Sequence, residues 1–199
     1  MADAMTDREI LLVPHFYRPD NIASASKAAS LLEDAGIRVR LLDQGEPGSE
    51  QPIDKDPVLN QLERVAPDSQ AAAGCELVLV LGGDGTFLRA AAVAREQDLP
   101  VLGINLGHVG FLAEGEAESL ETAIAHVIDR TYFVEDRMTI DVQVLDAEGK
   151  PIETSWALNE CSVENTDRTR VLDAILEVDF RPVSSFGCDG VLILSLIHI

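Results

Sequence analysis

Residues 77 to 91 read LVLVLGGDGTFLRAA: five apolar residues run straight into two glycines, an aspartate, a third glycine and a threonine. An apolar run without alternation fits a strand covered on both faces, and FLRAAAVAREQ beyond it has the composition of a helix. GGDGT is then a strand-to-helix turn in an α/β sheet. In open sheets of that kind ligands sit outside the carboxyl ends of the strands.

The segments around this turn repeat its alternation of strand and helix. Strands are expected at residues 9–13, 37–42, 76–81 and 100–105, with helices at 21–35, beyond the GGDGT turn and near 117–129. Asp20 or Asn21 is placed to cap the first helix at its start, and Gly36 at its end. Residues 43–57, rich in Pro, Gly and acids, read as a mobile surface loop, followed by a short helix near 58–66. Past Tyr132 the period becomes two: Met138, Ile140, Val142 and Val144 alternate with Thr139, Asp141, Gln143 and Leu145, and Leu172, Ala174, Leu176, Val178 and Phe180 recur with the same period. DAEGKP between these runs has turn composition, so the region reads as an antiparallel meander. The expected architecture is an α/β domain with a Rossmann-like open sheet over residues 1–133, then an all-β domain over 134–199.

Charge narrows the partners. The 35 acidic residues stand against 15 basic ones, a formal net charge of −20, and a nucleic acid or an anionic membrane demands the opposite sign. An anionic ligand would have to be held by local donors, such as glycine-turn amides, a helix N-terminus or a bridging cation. No apolar run approaches a membrane span and no secretory leader opens MADAMTDREI, which points to the cytoplasm. Cys75, Cys161 and Cys188 lie far apart in no metal-ligand spacing and read as reduced thiols.

Within the turn, Gly82, Gly83 and Gly85 let backbone amides approach a ligand closely. Asp84 makes little sense for holding phosphate alone. It suits a group that orients or deprotonates an attacking hydroxyl, or helps hold magnesium, and it suits equally a helix cap.

Four segments together resemble the NAD kinase family, closely its bacterial members: GGDGTFLRAA at 82–91, VLGINLGHVGFLAE at 101–114, ALNECSVE at 157–164 and SSFGCDGVL at 184–192. GGDGT alone is shared with diacylglycerol and sphingosine lipid kinases, and similar turns occur in phosphofructokinases. The resemblance implies phosphoryl transfer from ATP, or inorganic polyphosphate, to the 2′-hydroxyl of the adenosine ribose of NAD, with magnesium or another divalent cation. It implies Asp84 as the catalytic group, with Gly82, Gly83, Gly85 and Thr86 around phosphates and ribose. Phe111, in the loop of Gly107, His108 and Gly110, is implied to lie against the dinucleotide; from its residue type it is equally a core side chain. Asn159 and Glu160 match the family's adenosine-binding pair, and Asp189 a further position that reaches the dinucleotide. Read alone, these three are a strand end and a turn aspartate. The family also implies a homo-oligomer.

After GCDGVL the family continues with a Ser/Thr-rich segment, whereas this chain reads LILSLIHI, and residues 194–199 look foreign to it. The expectation is a C-terminally truncated chain with little or no kinase activity and apolar strand edges left uncovered. A lipid kinase, or a non-catalytic nucleotide-binding protein, is the competing reading.

Overall fold

The computed structural model describes residues 8–45, 51–104, 120–167 and 169–195. The chain divides into two compact units, Met1–Val134 and Glu135–Ile199. In the first, β1 (Glu9–Pro14), α1 (Pro19–Asp34), β2 (Arg38–Leu42), β3 (Glu63–Val65), β4 (Leu77–Leu81), α2 (Asp84–Arg95), β5 (Val101–Ile104) and α3 (Leu120–Asp129) follow one another. The five strands are parallel in the order β3-β2-β1-β4-β5. The chain therefore builds outward from β1 to one side, then returns and builds to the other from β4. Leu77 to Leu81 and Ile10 to Val13 are all buried, so the central strands are covered on both faces as their unbroken apolar runs require. Ile10, Leu12, Leu77 and Leu79 face α1 and α3, whereas Leu11, Val13, Val78 and Val80 face α2 and the Ala71–Ala72 segment.

Local signals set where the elements start and stop. Gly36, at φ +77°, ends α1 in a Schellman arrangement: its N–H donates to the Glu33 carbonyl at 2.9 Å and that of Ile37 to Leu32 at 3.0 Å. At the other end Arg18 occupies the cap position with Pro19 as the first helical residue, so neither Asp20 nor Asn21 is the cap. Proline's fixed φ, and an amide it does not have, decide that start.

The short helix expected near 58–66 is corrected. A 3₁₀ turn at Leu59–Gln61 is followed by the edge strand β3. The Asp56 carboxylate accepts from the Val58 and Leu59 N–H groups at 3.0 Å each, closing a tight turn in place of a helix. The polar stretch before it also has more structure than a loop: Pro52–Lys55 form a 3₁₀ turn that buries Ile53 in the core.

The second unit is all-β in its described residues: β6 (Ile140–Leu145), β7 (Pro151–Ala157), β8 (Glu160–Glu164), β9 (Leu172–Val178), β10 (Arg181–Cys188) and β11 (Gly190–Leu194). They pair antiparallel as β6 with β7, β9 with β10, and β8 with β11. Phe180 leaves the expected alternation. With Asp179 it forms a two-residue turn between β9 and β10, both at positive φ, and its ring is fully in solvent. Ile152, Val163, Ile175, Val183 and Leu192 are also exposed. Cys75, Cys161 and Cys188 are all free thiols, and no described helix is long and apolar enough to cross a membrane.

Behind the sheet, at the amino ends of the strands, Glu76 ties three segments together. Arg8 donates to its carboxylate through Nε and Nη2, at 3.0 and 2.5 Å, and Arg130 donates at 2.7 Å. Arg8 also donates to the Val127 and Ile128 carbonyls at the end of α3, at 2.8 and 2.7 Å. Burial pushes the Glu76 carboxyl upward, but the hydrogen bonds and charges of Arg8 and Arg130 outweigh it and hold it below its ordinary value. A depressed carboxyl contributes stability that is present above its unfolded pKa and is lost as pH falls through the folded one. Glu76→Gln should therefore lower the melting temperature at about pH 7. The gap to the parent should close towards about pH 3, and a gap that stays constant in melts across that range would contradict the assignment.

Candidate active site

The strand order reverses between β1 and β4, and the crevice outside the carboxyl ends of those two strands is where an open α/β sheet binds its ligand. GGDGT occupies that crevice. β4 ends at Leu81, Gly82 and Gly83 make the turn, and α2 begins at Asp84. Gly83 is the cap residue, so the alternative in which Asp84 caps the helix is not what the chain adopts. Asp84 is half-buried in the first turn, where a carboxylate lies favourably against the positive end of the helix dipole.

The three glycines differ in their reasons for being glycine. A Cβ on Gly82 would stand 2.7 Å from Thr86 Oγ1 and 3.0 Å from Thr86 Cβ, so Gly82 lets the first turn of α2 close onto the end of β4. Thr86 is buried beneath that contact. A Cβ on Gly83 or Gly85 would meet nothing within 4 Å, which leaves open space beside Asp84 at the helix start.

The crevice also gathers residues that the sequence reading passed over. The Leu81 carbonyl, immediately before GGDGT, accepts from the His15 N–H at 2.9 Å and from Asn21 Nδ2 at 3.5 Å. Gln44, just past β2, donates to the Pro14 carbonyl at 3.0 Å and accepts from Arg89 of α2 at 3.0 Å. The signal for these positions was topological: residues following β1 and β2 must lie on the same edge as those following β4 once the sheet is parallel.

In the second unit, β8 and β11 bring the LNE and GCDG segments onto one ladder, with Glu160 opposite Leu194 and Glu164 opposite Gly190. Ser195 donates its N–H to the Asn159 carbonyl at 2.8 Å and its hydroxyl to that of Leu158. Leu194 and Ser195 are thus integral to the ladder. Asn159 Oδ1 is buried with no hydrogen-bond partner, whereas the Glu160 side chain is exposed. Asp189 is exposed at the opposite end, its carbonyl accepting from Asn165 N–H at 3.0 Å. Four residue steps along a strand separate the ends, about 14 Å. Phe111, with Gly107, His108 and Gly110, lies outside the described residues. Among the described residues no three His, Cys, Asp or Glu side chains stand together as a metal cluster.

Residues 10–132 match the ATP-NAD kinase N-terminal domain family. The chain is 56% identical over 191 residues to the NAD kinase of Corynebacterium diphtheriae, covering 96% of this chain and 59% of that one. It is 62% identical over 188 residues to the NAD kinase of Corynebacterium efficiens, covering 94% and 58%. Among solved structures it is similar to yeast NADH kinase complexed with NADH, with a TM-score of 0.75 at 18% identity, over 96% of this chain and 58% of that one. At that identity the likeness concerns the fold. The chain spans somewhat under 60% of the length of these relatives.

The glycine geometry predicts opposite responses to one added methyl group. Gly82→Ala forces the stiff, buried Thr86 or the start of α2 to move and should cost about 1–3 kcal/mol. Gly85→Ala enters open space inside a helix and should stabilise by about 0.5–1 kcal/mol. Thermal melts of the two variants check this, and equal shifts would contradict the assigned contact.

Proposed function

The chain belongs to the NAD kinase family, and from that premise we propose that it carries the hydroxyl-activating part of an enzyme converting NAD to NADP. The phosphoryl group comes from ATP or inorganic polyphosphate and goes to the 2′-hydroxyl of the adenosine ribose. The observation that carries this reading is the half-buried Asp84 at the start of α2, in the crevice between β1 and β4, with open space over Gly83 and Gly85 beside it. Asp84 accepts a hydrogen bond from the 2′-hydroxyl, aims that hydroxyl's oxygen at the terminal phosphorus of the donor and takes its proton as the new P–O bond forms and the bond to the departing ADP, or to the shortened polyphosphate, breaks. The α2 amides and the small glycines face the phosphate oxygens, whose charge the helix start favours. Phe111 is assigned a place against the dinucleotide.

A divalent cation such as magnesium keeps most of its water and needs only one or two carboxylates beside substrate phosphates. Asp84 is the carboxylate in the turn that fits this mode, and the ion would neutralise charge on the phosphates.

Asn159 Oδ1, buried and unpartnered, is an acceptor waiting for a donor, which the amino group of adenine supplies. Glu160 accepts from a ribose hydroxyl. Asp189, at the far end of the β8–β11 ladder, contacts a different part of the same dinucleotide. The reading includes a cytoplasmic enzyme that assembles as a homo-oligomer. It gains support over a lipid kinase from relatives at 56% and 62% identity that are named NAD kinases.

NADP formation from NAD with ATP or polyphosphate, followed by a coupled dehydrogenase, tests the proposal in the 199-residue chain and in a chain extended to its relatives' length. The extended chain should turn over. Asp84→Asn in it should keep NAD binding and lose roughly 100- to 10,000-fold in turnover. Activity within a few-fold of the parent would remove Asp84 from catalysis.

Asn159→Leu should fail differently. Stranding the adenine donor in a desolvated pocket costs about 1–3 kcal/mol, a loss in NAD affinity of about 5- to 150-fold. Calorimetric titration of NAD into the folded variant reads this directly. An unchanged dissociation constant would reduce the LNE segment to a strand end.

A further inference from the structure

In a chain with a net charge of −20, a cation without a carboxylate partner is scarce. In the α/β unit Arg8, Lys27, Arg38, Arg40, Arg64, Arg95 and Arg130 are each ion-paired to a carboxylate. Among that unit's described residues Arg18 and Arg89 are not paired in this way, and both stand exposed at the carboxyl edge of the sheet; Lys150 and Arg181 in the second unit also have no carboxylate partner among the described residues. Arg18 sits at the start of α1, directly after the loop that follows β1. Arg89 projects from the second turn of α2 and reaches Gln44 beyond β2; Gln44 in turn holds the Pro14 carbonyl at the end of β1. That bridge passes over the carboxyl end of β1, beside the strand whose turn carries Asp84.

Two guanidinium groups left unneutralised at one edge of so acidic a molecule call for an anion. We propose that Arg18 and Arg89 form the cationic wall of a phosphate-chain site, whose ligand class is the linear triphosphate common to ATP and inorganic polyphosphate. This rests on the kinase reading above and deepens it by naming the side chains that hold the phosphoryl donor. Guanidinium suits the task because its planar fork can donate two hydrogen bonds to neighbouring phosphate oxygens and stays charged at every working pH. With seven of the α/β unit's cations tied to carboxylates, these two set where a phosphate chain lies on that unit's otherwise repelling surface.

The test titrates inorganic tripolyphosphate, ATP and NAD into the 199-residue chain and into two double variants that remove equal charge. One is Arg18→Ala with Arg89→Ala; the other is Lys27→Ala with Arg95→Ala, both further along α1 and α2 from that edge. Tripolyphosphate should bind the parent and the control within about twofold of each other and the edge variant at least about tenfold more weakly, with unchanged melting temperatures. ATP should follow tripolyphosphate if its phosphates are what these residues read. Failure of the parent to bind tripolyphosphate, or equal binding by the two double variants, would overturn the proposal. NAD separates the two readings. Binding of NAD without an arginine-dependent phosphate site sinks this proposal alone, and an arginine-dependent phosphate site with no NAD binding even by the chain extended to its relatives' length sinks the NAD kinase reading alone.

Discussion

Burial of β1 and β4 on both faces is the constraint on which the α/β unit depends. Residues Ile10 to Val13 and Leu77 to Leu81 are inaccessible to water, and each such side chain contributes about 1.5–3 kcal/mol only if helices cover both sides of the sheet. That demand places α1 and α3 on one face and α2 on the other. With helices on both faces and all strands parallel, every strand-to-helix turn emerges at the same edge. Asp84, His15 and Gln44, separated by up to 69 positions, share that edge for this reason alone.

The two edges of the sheet are built with different chemistry. At the amino edge Glu76 takes both Arg8 and Arg130 and ties the end of α3 to the strands, and Glu9 takes both Arg38 and Arg40. Such paired and partly buried groups serve the fold, since removing one partner strands the other. At the carboxyl edge backbone carbonyls are satisfied by His15, Asn21 and Gln44, while two arginines and the space over Gly83 and Gly85 are left available. The contrast between satisfied and available groups separates support from site more sharply than residue type does.

The second unit lacks a comparable core among its described residues. Its ladders expose Ile152, Val163, Ile175, Val183 and Leu192, and the turn at Asp179 and Phe180 holds a bulky aromatic at positive φ, where glycine or asparagine is the ordinary choice. What organises this unit locally is the β8–β11 ladder, which orders the segment around Asn159 and leaves one of its oxygens without a donor.

Much of this was legible in the residues themselves. The unbroken LVLVL run required a doubly covered strand, Gly36 marked a helix end, and GGDGT marked a strand-to-helix turn, because each depends on chemistry within a few positions. Motifs in order along the chain pointed to the family. Three-residue β3 was hidden because so short a strand leaves no periodicity, and its pairing to β2 decides its conformation. Pro19 decided the start of α1 against two better capping side chains. The distinct purposes of Gly82, Gly83 and Gly85 needed the position of Thr86, and the significance of Arg89 needed the position of Gln44. Local chemistry writes itself into sequence through spacing, whereas which groups remain unpaired after folding is a property of all the distant contacts at once, and only the tertiary structure decides it.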